Sequence, residues 1–280
     1  MTRHKISNAW LLPLLISLSL LVACGGTETA TAPADDTAAT EAPAEAPAPT
    51  LTVKPLLDSP KFPGAALSLP SLEEGATLPA GEVAFAFDVT DYALGEQTAD
   101  AGANGLANSA DGQHIHLILN NDPYSAHYEA SFSKELEDGH YVALAFLSRS
   151  YHESVKNPEA AVLTQFFVGE EGGEEKIDLA APHLFYSRPK GTYKGADTEK
   201  LMLDFYLANT EISADGNKVR ATINGQEFVF TDWVPYVIEG LPLGEVEIRL
   251  ELIDAEGNTI PGPFNDVTRT VTLEAADAAG

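Results

Sequence analysis

An internal repeat constrains this chain more than any other feature of its sequence. Ser109–Asn121 aligns without a gap on Ser213–Gly225, and both segments begin with Ser-Ala-Asp-Gly. Flanking segments align as well: Val83–Val89 with Leu201–Leu207, and Gly139–Leu147 with Gly244–Leu252. Self-similarity over a distance of about 110 residues marks a repeated domain. The chain is therefore predicted to hold two copies of one domain.

The aligned segments have the pattern of β-strands. They are short, they alternate apolar and polar residues, and turn-forming residues such as Asn120-Asn121-Asp122-Pro123 and Asn224-Gly225 bound them. About seven such strands per copy predict an all-β fold with two tandem immunoglobulin-like β-sandwich domains, resembling the disulfide-free bacterial versions. The first domain is expected to span residues 55–172 and the second residues 176–276.

The start of the chain predicts a lipoprotein signal peptide over residues 1–23. An apolar run ends in Leu21-Val22-Ala23-Cys24, which resembles a lipobox whose cysteine receives a diacylglycerol. An uncleaved transmembrane anchor is the alternative, and the short run interrupted by Pro13 disfavours it. The chain is thus expected to be exported and held to a membrane by lipid on Cys24. Gly25 favours the outer membrane, with the protein on its periplasmic or cell-surface face.

A stalk is predicted to join this anchor to the first domain. Residues 24–54 comprise the lipidated cysteine followed by a segment rich in Ala, Pro, Thr and Glu, which has no aromatic residue up to position 50. Such a composition cannot bury enough apolar surface to offset the entropy of ordering. The stalk is therefore expected to be disordered.

Composition and missing motifs exclude several functions. A formal net charge of -26 repels phosphate groups, so no nucleic-acid partner is expected. Cys24 is the only cysteine, so no disulfide holds the domains together. The sequence contains no nucleophile elbow, P-loop, dinucleotide fingerprint or His-Glu-x-x-His motif. A non-catalytic protein is predicted.

The two copies differ on one sheet face. Residues needed for the fold should keep their character in both copies, so differences between aligned residues point to function. The outward residues of two adjacent strands are His114, His116, Ile118, His140, Val142, Leu144 and Phe146 in the first copy, against Lys218, Arg220, Thr222, Glu245, Glu247, Arg249 and Glu251 in the second. A histidine-rich apolar face is not expected to be bare. Three interpretations stay open: the other domain or a loop covers it, it binds an external partner, or its histidines hold a metal or cofactor.

A second difference lies beside this face. The offset between aligned positions falls from 118 residues at Val83/Leu201 to 104 at Ser109/Ser213, so the first copy carries a net insertion of 14 residues within about 95–108. This loop and the loop at 148–154 are predicted to meet at one end of the sandwich, where binding residues commonly lie. The candidate ligand-binding residues are His114, His116, Arg149, Tyr151, His152, Glu153, Asn104 and Asn108.

The histidine positions carry a resemblance to a known family. Gly112-Gln-His-Ile-His-Leu-Ile-Leu119, Gly139-His140 and the later His152 resemble a small bacterial envelope domain family of unknown function, which has a strand of the GHHHLL type. The resemblance covers roughly residues 67–169. It implies that the histidines form a constellation, but it supplies no activity. Gln113 departs from the first histidine of the family triplet, which puts an inherited metal site in doubt.

A metal site is the most specific chemistry that these residues suggest. His114 and His116 stand two apart on a strand, so both rings leave one face about 7 Å apart. A third imidazole, from His152 or His127, would complete a site for Zn or Cu. Apart from such a metal, no cofactor is expected.

These observations predict a membrane-anchored envelope lipoprotein whose first domain serves for binding or docking. Its ligand could be a protein, a peptide or a glycan. The first alternative is a periplasmic metal-binding protein that uses the histidine face for Zn or Cu. The second alternative is a structural spacer.

Overall fold

The computed structural model of the protein describes residues 50–169 and 176–277, and in them all regular structure is β-strand apart from 3-10 turns at Pro158–Ala160 and Gly195–Thr198. The strands up to the end of the first copy are β1 (Thr52–Pro55), β2 (Ala66–Ser68), β3 (Thr77–Leu78), β4 (Gly81–Ala86), β5 (Asp88–Thr90), β6 (His114–Leu119), β7 (Ser125–His127), β8 (Ser131–Leu136), β9 (Gly139–Ser148) and β10 (Ala161–Val168). Those of the second copy are β11 (His183–Arg188), β12 (Thr192–Lys194), β13 (Lys200–Ala208), β14 (Lys218–Ile223), β15 (Gln226–Phe230), β16 (Tyr236–Glu239), β17 (Gly244–Ile253) and β18 (Asp266–Glu274). None of the described residues form a helix long and apolar enough to cross a membrane.

Each copy folds into a sandwich of two layers. One layer of the first sandwich is a five-stranded sheet in the order β3-β10-β9-β6-β7, and the other consists of the pairs β2-β5 and β4-β8. The second sandwich has the matching five-stranded sheet β12-β18-β17-β14-β15 and a four-stranded sheet β1-β16-β13-β11. In both copies a short early strand joins the larger sheet in parallel, β3 on β10 and β12 on β18. The predicted fold class, two tandem immunoglobulin-like β-sandwiches, is confirmed.

The strand register reproduces the alignment of the repeat. His114 pairs with Ser148 between β6 and β9, and the aligned Lys218 pairs with Ile253 between β14 and β17. The residues predicted to face inward do so in both copies, because Ile115 and Leu117 belong to one core and Val219 and Ala221 to the other. The alternation of residues thus determines which side chains each strand turns outward.

The first strand begins at Thr52, before the predicted end of the stalk at residue 54. Thr52–Pro55 forms β1, which pairs with β16 at the edge of the second sandwich, Val53 lying opposite Ile238. Val53 and the preceding Leu51 pack against the core of the second sandwich, which gives this short segment the apolar contacts that the rest of the predicted stalk lacks in sequence. The chain therefore contributes a strand to the second sandwich before it enters the first. The signal peptide, Cys24 and the remainder of the stalk lie outside the described residues.

The second sandwich covers the apolar part of the histidine face. Val142, Leu144 and Phe146 on β9 are at most 1% exposed, and they share one hydrophobic cluster with Phe185 and Tyr206. Phe146 and Tyr206 stack with ring centroids 5.2 Å apart. Burial of each large apolar side chain contributes about 1.5–3 kcal/mol. The apolar side chains therefore form an interface between the two sandwiches.

Candidate metal centre

Three histidines of the first sandwich converge at the edge of this interface. The alternation of β6 turns His114 and His116 to the same face, and the loop after β9 brings His152 to them. His114 Nε2 lies 2.9 Å from His116 Nε2 and 3.1 Å from His152 Nδ1. One ring nitrogen of each histidine lies within 4.8 Å of those of the other two. We call these three residues the histidine cluster.

His152 reaches the cluster because of an unusual turn. Arg149 N–H donates to the Glu153 carbonyl at 2.9 Å, His152 N–H donates to the Arg149 carbonyl at 2.8 Å, and Ser148 bridges to Ser154. At the tip of this turn His152 has a φ of 70°, a left-handed conformation that costs a non-glycine residue about 1–3 kcal/mol. Outliers of this kind cluster at functional sites, where the surrounding structure holds them in place.

The other residues predicted for ligand binding in this loop are buried supports. Arg149, Tyr151 and Glu153 are 4%, 2% and 4% exposed. Arg149 Nη1 lies 3.0 Å from Glu153 Oε1, and Ser59 donates a hydrogen bond to the same carboxylate. Burial raises the pKa of Glu153, although the charge of Arg149 opposes this. These buried side chains support the turn, and Arg149 and Glu153 also line a cavity beside Lys156 and Trp233.

The insertion of the first copy braces the same turn. Thr98 N–H donates to Ser150 Oγ at 3.3 Å, and Ser150 N–H donates to Thr98 Oγ1 at 3.0 Å. The Tyr151 hydroxyl donates to Asp100 at 3.3 Å. The insertion and the 148–154 loop therefore meet, and the hydrogen bonds between them hold the loop in place. Asn104 and Asn108, also predicted to bind ligand, make no hydrogen bond to the histidine cluster among the described residues, and Asn108 donates to Gln97 within the insertion.

A hydrogen bond fixes the orientation of the His114 ring. Its Nδ1–H donates to the Gly112 carbonyl at 2.7 Å, which leaves the Nε2 lone pair directed at the other two rings. Metal-binding histidines commonly donate their second N–H to such a partner, because this fixes the tautomer and the ring orientation. The glycine before the His-x-His pair thus supplies the second contact of the first histidine.

The rings of the histidine cluster are uncharged at neutral pH. Burial lowers the pKa of His114 to about 4, and burial likewise lowers the pKa of His116 and of His152. The cations Arg188 and Lys190 act in the same direction on all three. Neutral imidazole is the form that coordinates a metal.

The three rings cannot satisfy all of their nitrogen atoms by hydrogen bonding to one another. The single lone pair of His114 Nε2 faces two ring nitrogens and can accept one good hydrogen bond. His116 is fully buried, and its Nδ1 has no hydrogen-bond partner among the described residues. A metal ion bound through 2.0–2.1 Å bonds in tetrahedral geometry needs nitrogens about 3.3 Å apart. Small ring movements from the observed 2.9 and 3.1 Å would reach that spacing for the two pairs that include His114. The nitrogens of His116 and His152, which lie within 4.8 Å of each other, would have to move closer together.

Aromatic rings enclose the cluster. Tyr124 stacks on His116 with ring centroids 3.5 Å apart, and its hydroxyl lies 3.3 Å from His152 Nδ1. Tyr128 lies 5.0 Å from the His114 ring, and its hydroxyl is hydrogen-bonded to Ser109. Lys190 of the second sandwich donates to the Tyr124 carbonyl at 2.8 Å and sits 4.0 Å from the ring centroid. Both copies therefore contribute to the surroundings of the cluster.

Two other histidines of the first sandwich, His127 and His140, lie outside the cluster. His127, predicted as a third metal ligand, pairs with Ile115 across β6 and β7, so it points to the other side of the sheet from His114 and His116. There it stacks on Phe132, with centroids 3.3 Å apart, and binds Ser125 Oγ at 2.8 Å. His140 binds Gln165 at 3.0 Å. Of the four histidines predicted as metal ligands, the structure brings His114, His116 and His152 together and places His127 on the opposite side of the sheet.

Comparison with known proteins gives only remote likenesses. No family model and no curated protein matches the chain. Fibronectin(III)-like modules of CbhA from Clostridium thermocellum match with 13% identity and a TM-score of 0.27, covering 76% of this chain and 97% of that chain. The SGBP-B protein of the Bacteroides ovatus mixed-linkage glucan utilization locus, in complex with a heptasaccharide, matches with 12% identity and a TM-score of 0.22, covering 74% of this chain and 47% of that chain. Neither likeness is close enough to support a statement about function.

Proposed function

We propose that this chain is a membrane-anchored, non-catalytic envelope lipoprotein that binds a transition metal ion, zinc or copper, through His114, His116 and His152. The convergence of ring nitrogens from two buried histidines and the partly buried His152 carries the proposal. The anchor is inferred from the lipobox at Cys24 alone. Imidazole suits both metals, and three protein ligands leave a position for a water molecule or an exchanging ligand.

The charges around the cluster bear on the choice of metal. Arg188 and Lys190 lie close enough to lower the pKa of each ring, and they also repel a bound cation. Repulsion scales with the charge of the ion, so it penalises Zn²⁺ and Cu²⁺ about twice as much as Cu⁺. Three imidazoles in a buried site also provide the low coordination number that Cu⁺ accepts. Cu⁺ is therefore the favoured ion, with Zn²⁺ and Cu²⁺ as the competitors that a binding assay has to include.

An external protein, peptide or glycan fits the site less well. Phe146 and its neighbours are covered by the second sandwich, and Arg149, Tyr151 and Glu153 are buried within the loop. The chain itself thus covers the apolar part of the face, and these three side chains of the loop expose little surface to a large ligand. The proposed ligand is therefore a single ion at the histidine cluster, where His114 and His116 are fully buried and His152 is partly exposed.

Metal retention tests the proposal. The metal-free full chain is equilibrated with limiting Zn²⁺, Cu²⁺ or, under anaerobic reducing conditions, Cu⁺, against a competing chelator, and retained metal is measured by mass spectrometry. We expect about one ion per chain with copper and, in His152→Asn, an affinity at least tenfold weaker, which is about 1.4 kcal/mol. Asparagine tolerates the left-handed φ of this position, so the turn is preserved.

His127→Gln serves as the matched control, because it removes an imidazole from the same sheet outside the cluster. It should retain metal like the unaltered chain. Failure of the unaltered chain to retain any of the three ions, or equal retention by His152→Asn, would contradict the proposed site. The protein would then be better described as a rigid spacer of two docked sandwiches.

A further inference from the structure

The outward face of β13 sets the second copy apart from the first. Leu201, Leu203 and Phe205 point into the core of the second sandwich, and the residues between them point toward the first. These outward residues are Met202, Asp204 and Tyr206, where the aligned residues of the first copy are Ala84, Ala86 and Asp88. In the first copy this face is exposed or half-buried, whereas in the second all three residues are buried. The two copies therefore differ most on the two faces that pack against each other.

Each outward residue of β13 contacts the region of the histidine cluster. Met202 belongs to a small apolar cluster with Tyr151, the neighbour of His152. Tyr206 stacks on Phe146, which pairs with His116 across the sheet and lies 5.2 Å from its ring. One strand of the second sandwich thus contacts the loop that carries His152 and the residue of β9 that lies beside His116.

Asp204 fastens the end of the His152 turn. The side chain is fully buried, and its Oδ2 accepts from Ser154 N–H at 3.1 Å. Its Oδ1 accepts from Ser154 Oγ at 3.2 Å and from the Lys156 ammonium, which neutralises the carboxylate. Hydrogen bonds to a charged group are stronger than those between neutral groups. This contact holds the backbone two residues beyond His152, the residue with the left-handed φ.

We propose that the second sandwich completes the metal centre by positioning His152, and that Asp204 is the positioning residue. The inference rests on the proposed function. Asp204 does not touch the ring nitrogens. It fixes the turn in the one conformation that brings the imidazole of His152 to His114 and His116. Metal binding and docking of the two sandwiches are consequently coupled, so each strengthens the other.

The test compares two isosteric changes of buried carboxylates in the second sandwich. Asp204→Asn weakens the contact with Ser154 and removes the ion pair with Lys156. Glu251→Gln removes an ion pair between β17 and Arg220 on β14, away from the turn. The dissociation constant for copper is measured on the full chain at a temperature where all variants are folded. We expect Asp204→Asn to bind copper at least tenfold more weakly and Glu251→Gln to bind it unchanged.

A spectroscopic readout separates positioning from a general loss of stability. Electron paramagnetic resonance of the Cu²⁺ form counts coordinated nitrogens, and we expect three in the unaltered chain and Glu251→Gln but two in Asp204→Asn. Should Asp204→Asn fail to fold, Ser154→Ala carries the test, with an expected loss of about threefold in affinity. An unchanged dissociation constant and nitrogen count in a folded variant would overturn the inference while leaving the metal site intact. If the unaltered chain bound no metal, the proposed function itself would fall.

Discussion

At the scale of single residues, a glycine determines how close the insertion can approach the histidine strand. Gly112 has a φ of 84°, and a Cβ on it would lie 2.6 Å from the carbonyl oxygen of Glu96. Glu96 O in turn accepts from Gln113 N–H at 2.7 Å, while Gly95 N–H donates to the Gln113 carbonyl at 2.8 Å. The glycine of the Gly-Gln-His-Ile-His motif therefore has two functions: it permits this contact, and its carbonyl orients His114.

Replacing Gly112 tests the close approach. Gly225 offers a matched position, because its φ is 80° and a Cβ on it would meet nothing within 4 Å. Gly225→Ala is expected to lower the free energy of unfolding by about 1–2 kcal/mol, the cost of a left-handed conformation. Gly112→Ala is expected to cost about 1–3 kcal/mol more, as overpacking does. Urea denaturation measures both, and equal losses would show that the Glu96 contact gives way without cost.

Residue chemistry predicted the histidine cluster only in part. The spacing of His114 and His116 on a strand was sufficient to place both rings on one face, and the loop position of His152 made it a candidate. His127 was wrongly included because its side depends on how β7 registers against β6, a pairing that the sequence between them does not specify. Tyr124 and Asp204 were missed, although Asp204 opposite Ala86 in the aligned repeat was a visible difference.

At the scale of elements, equivalent strands carry opposite chemistry on a common frame. The outward face that bears the histidine cluster in the first copy bears an ion-pair network in the second. Arg220 on β14 donates two hydrogen bonds to Glu251 on β17, at 2.9 and 2.8 Å, and Arg249 Nη2 lies 3.0 Å from the same carboxylate. The Glu251 side chain is 3% exposed, so this pair is better shielded than an ordinary surface ion pair.

The network predicts a pH dependence of stability. The hydrogen bonds from Arg220 lower the pKa of Glu251, so the folded state favours the charged carboxylate. Its stabilisation is present above the unfolded-state pKa, about 4.3, and is lost as the pH falls through the lower folded-state pKa. The difference in unfolding free energy between the unaltered chain and Glu251→Gln should therefore be largest at neutral pH and shrink below about pH 4.

Denaturant titrations at a series of pH values measure this difference. Glu247→Gln is the control, since Glu247 lies on the same strand, is exposed, and makes no ion pair among the described residues. Its effect should stay within about 0.5 kcal/mol at every pH. A Glu251→Gln difference that did not vary with pH would indicate that packing, not charge, explains the contribution of this side chain.

At the scale of the whole molecule, the chain interweaves its two sandwiches. β1 precedes the first sandwich but pairs with β16 of the second, and the Phe146–Tyr206 contact lies between them. Sequence patterns predicted two domains because each copy has its own alternating strands and turns. They offered cover of the histidine face by the other domain only as one of three interpretations, since the relative placement of two domains depends on surface complementarity and not on local periodicity. β1 was assigned to the stalk because it is short and contains few apolar residues.

This arrangement predicts that both sandwiches unfold together. Calorimetry of the full chain should show one transition with equal calorimetric and van't Hoff enthalpies. Tyr206→Ala removes an aromatic ring from the interface and leaves the core of the second sandwich intact, because Tyr206 faces outward and Phe205 inward. The loss of such a buried ring costs about 3–5 kcal/mol, enough to separate the transition into two. Val229→Ala, at a residue 48% exposed on β15, should leave a single transition. Two transitions in the unaltered chain would mean that the interface is too weak to couple the sandwiches, and the dependence of His152 on Asp204 would then have to be local to the turn.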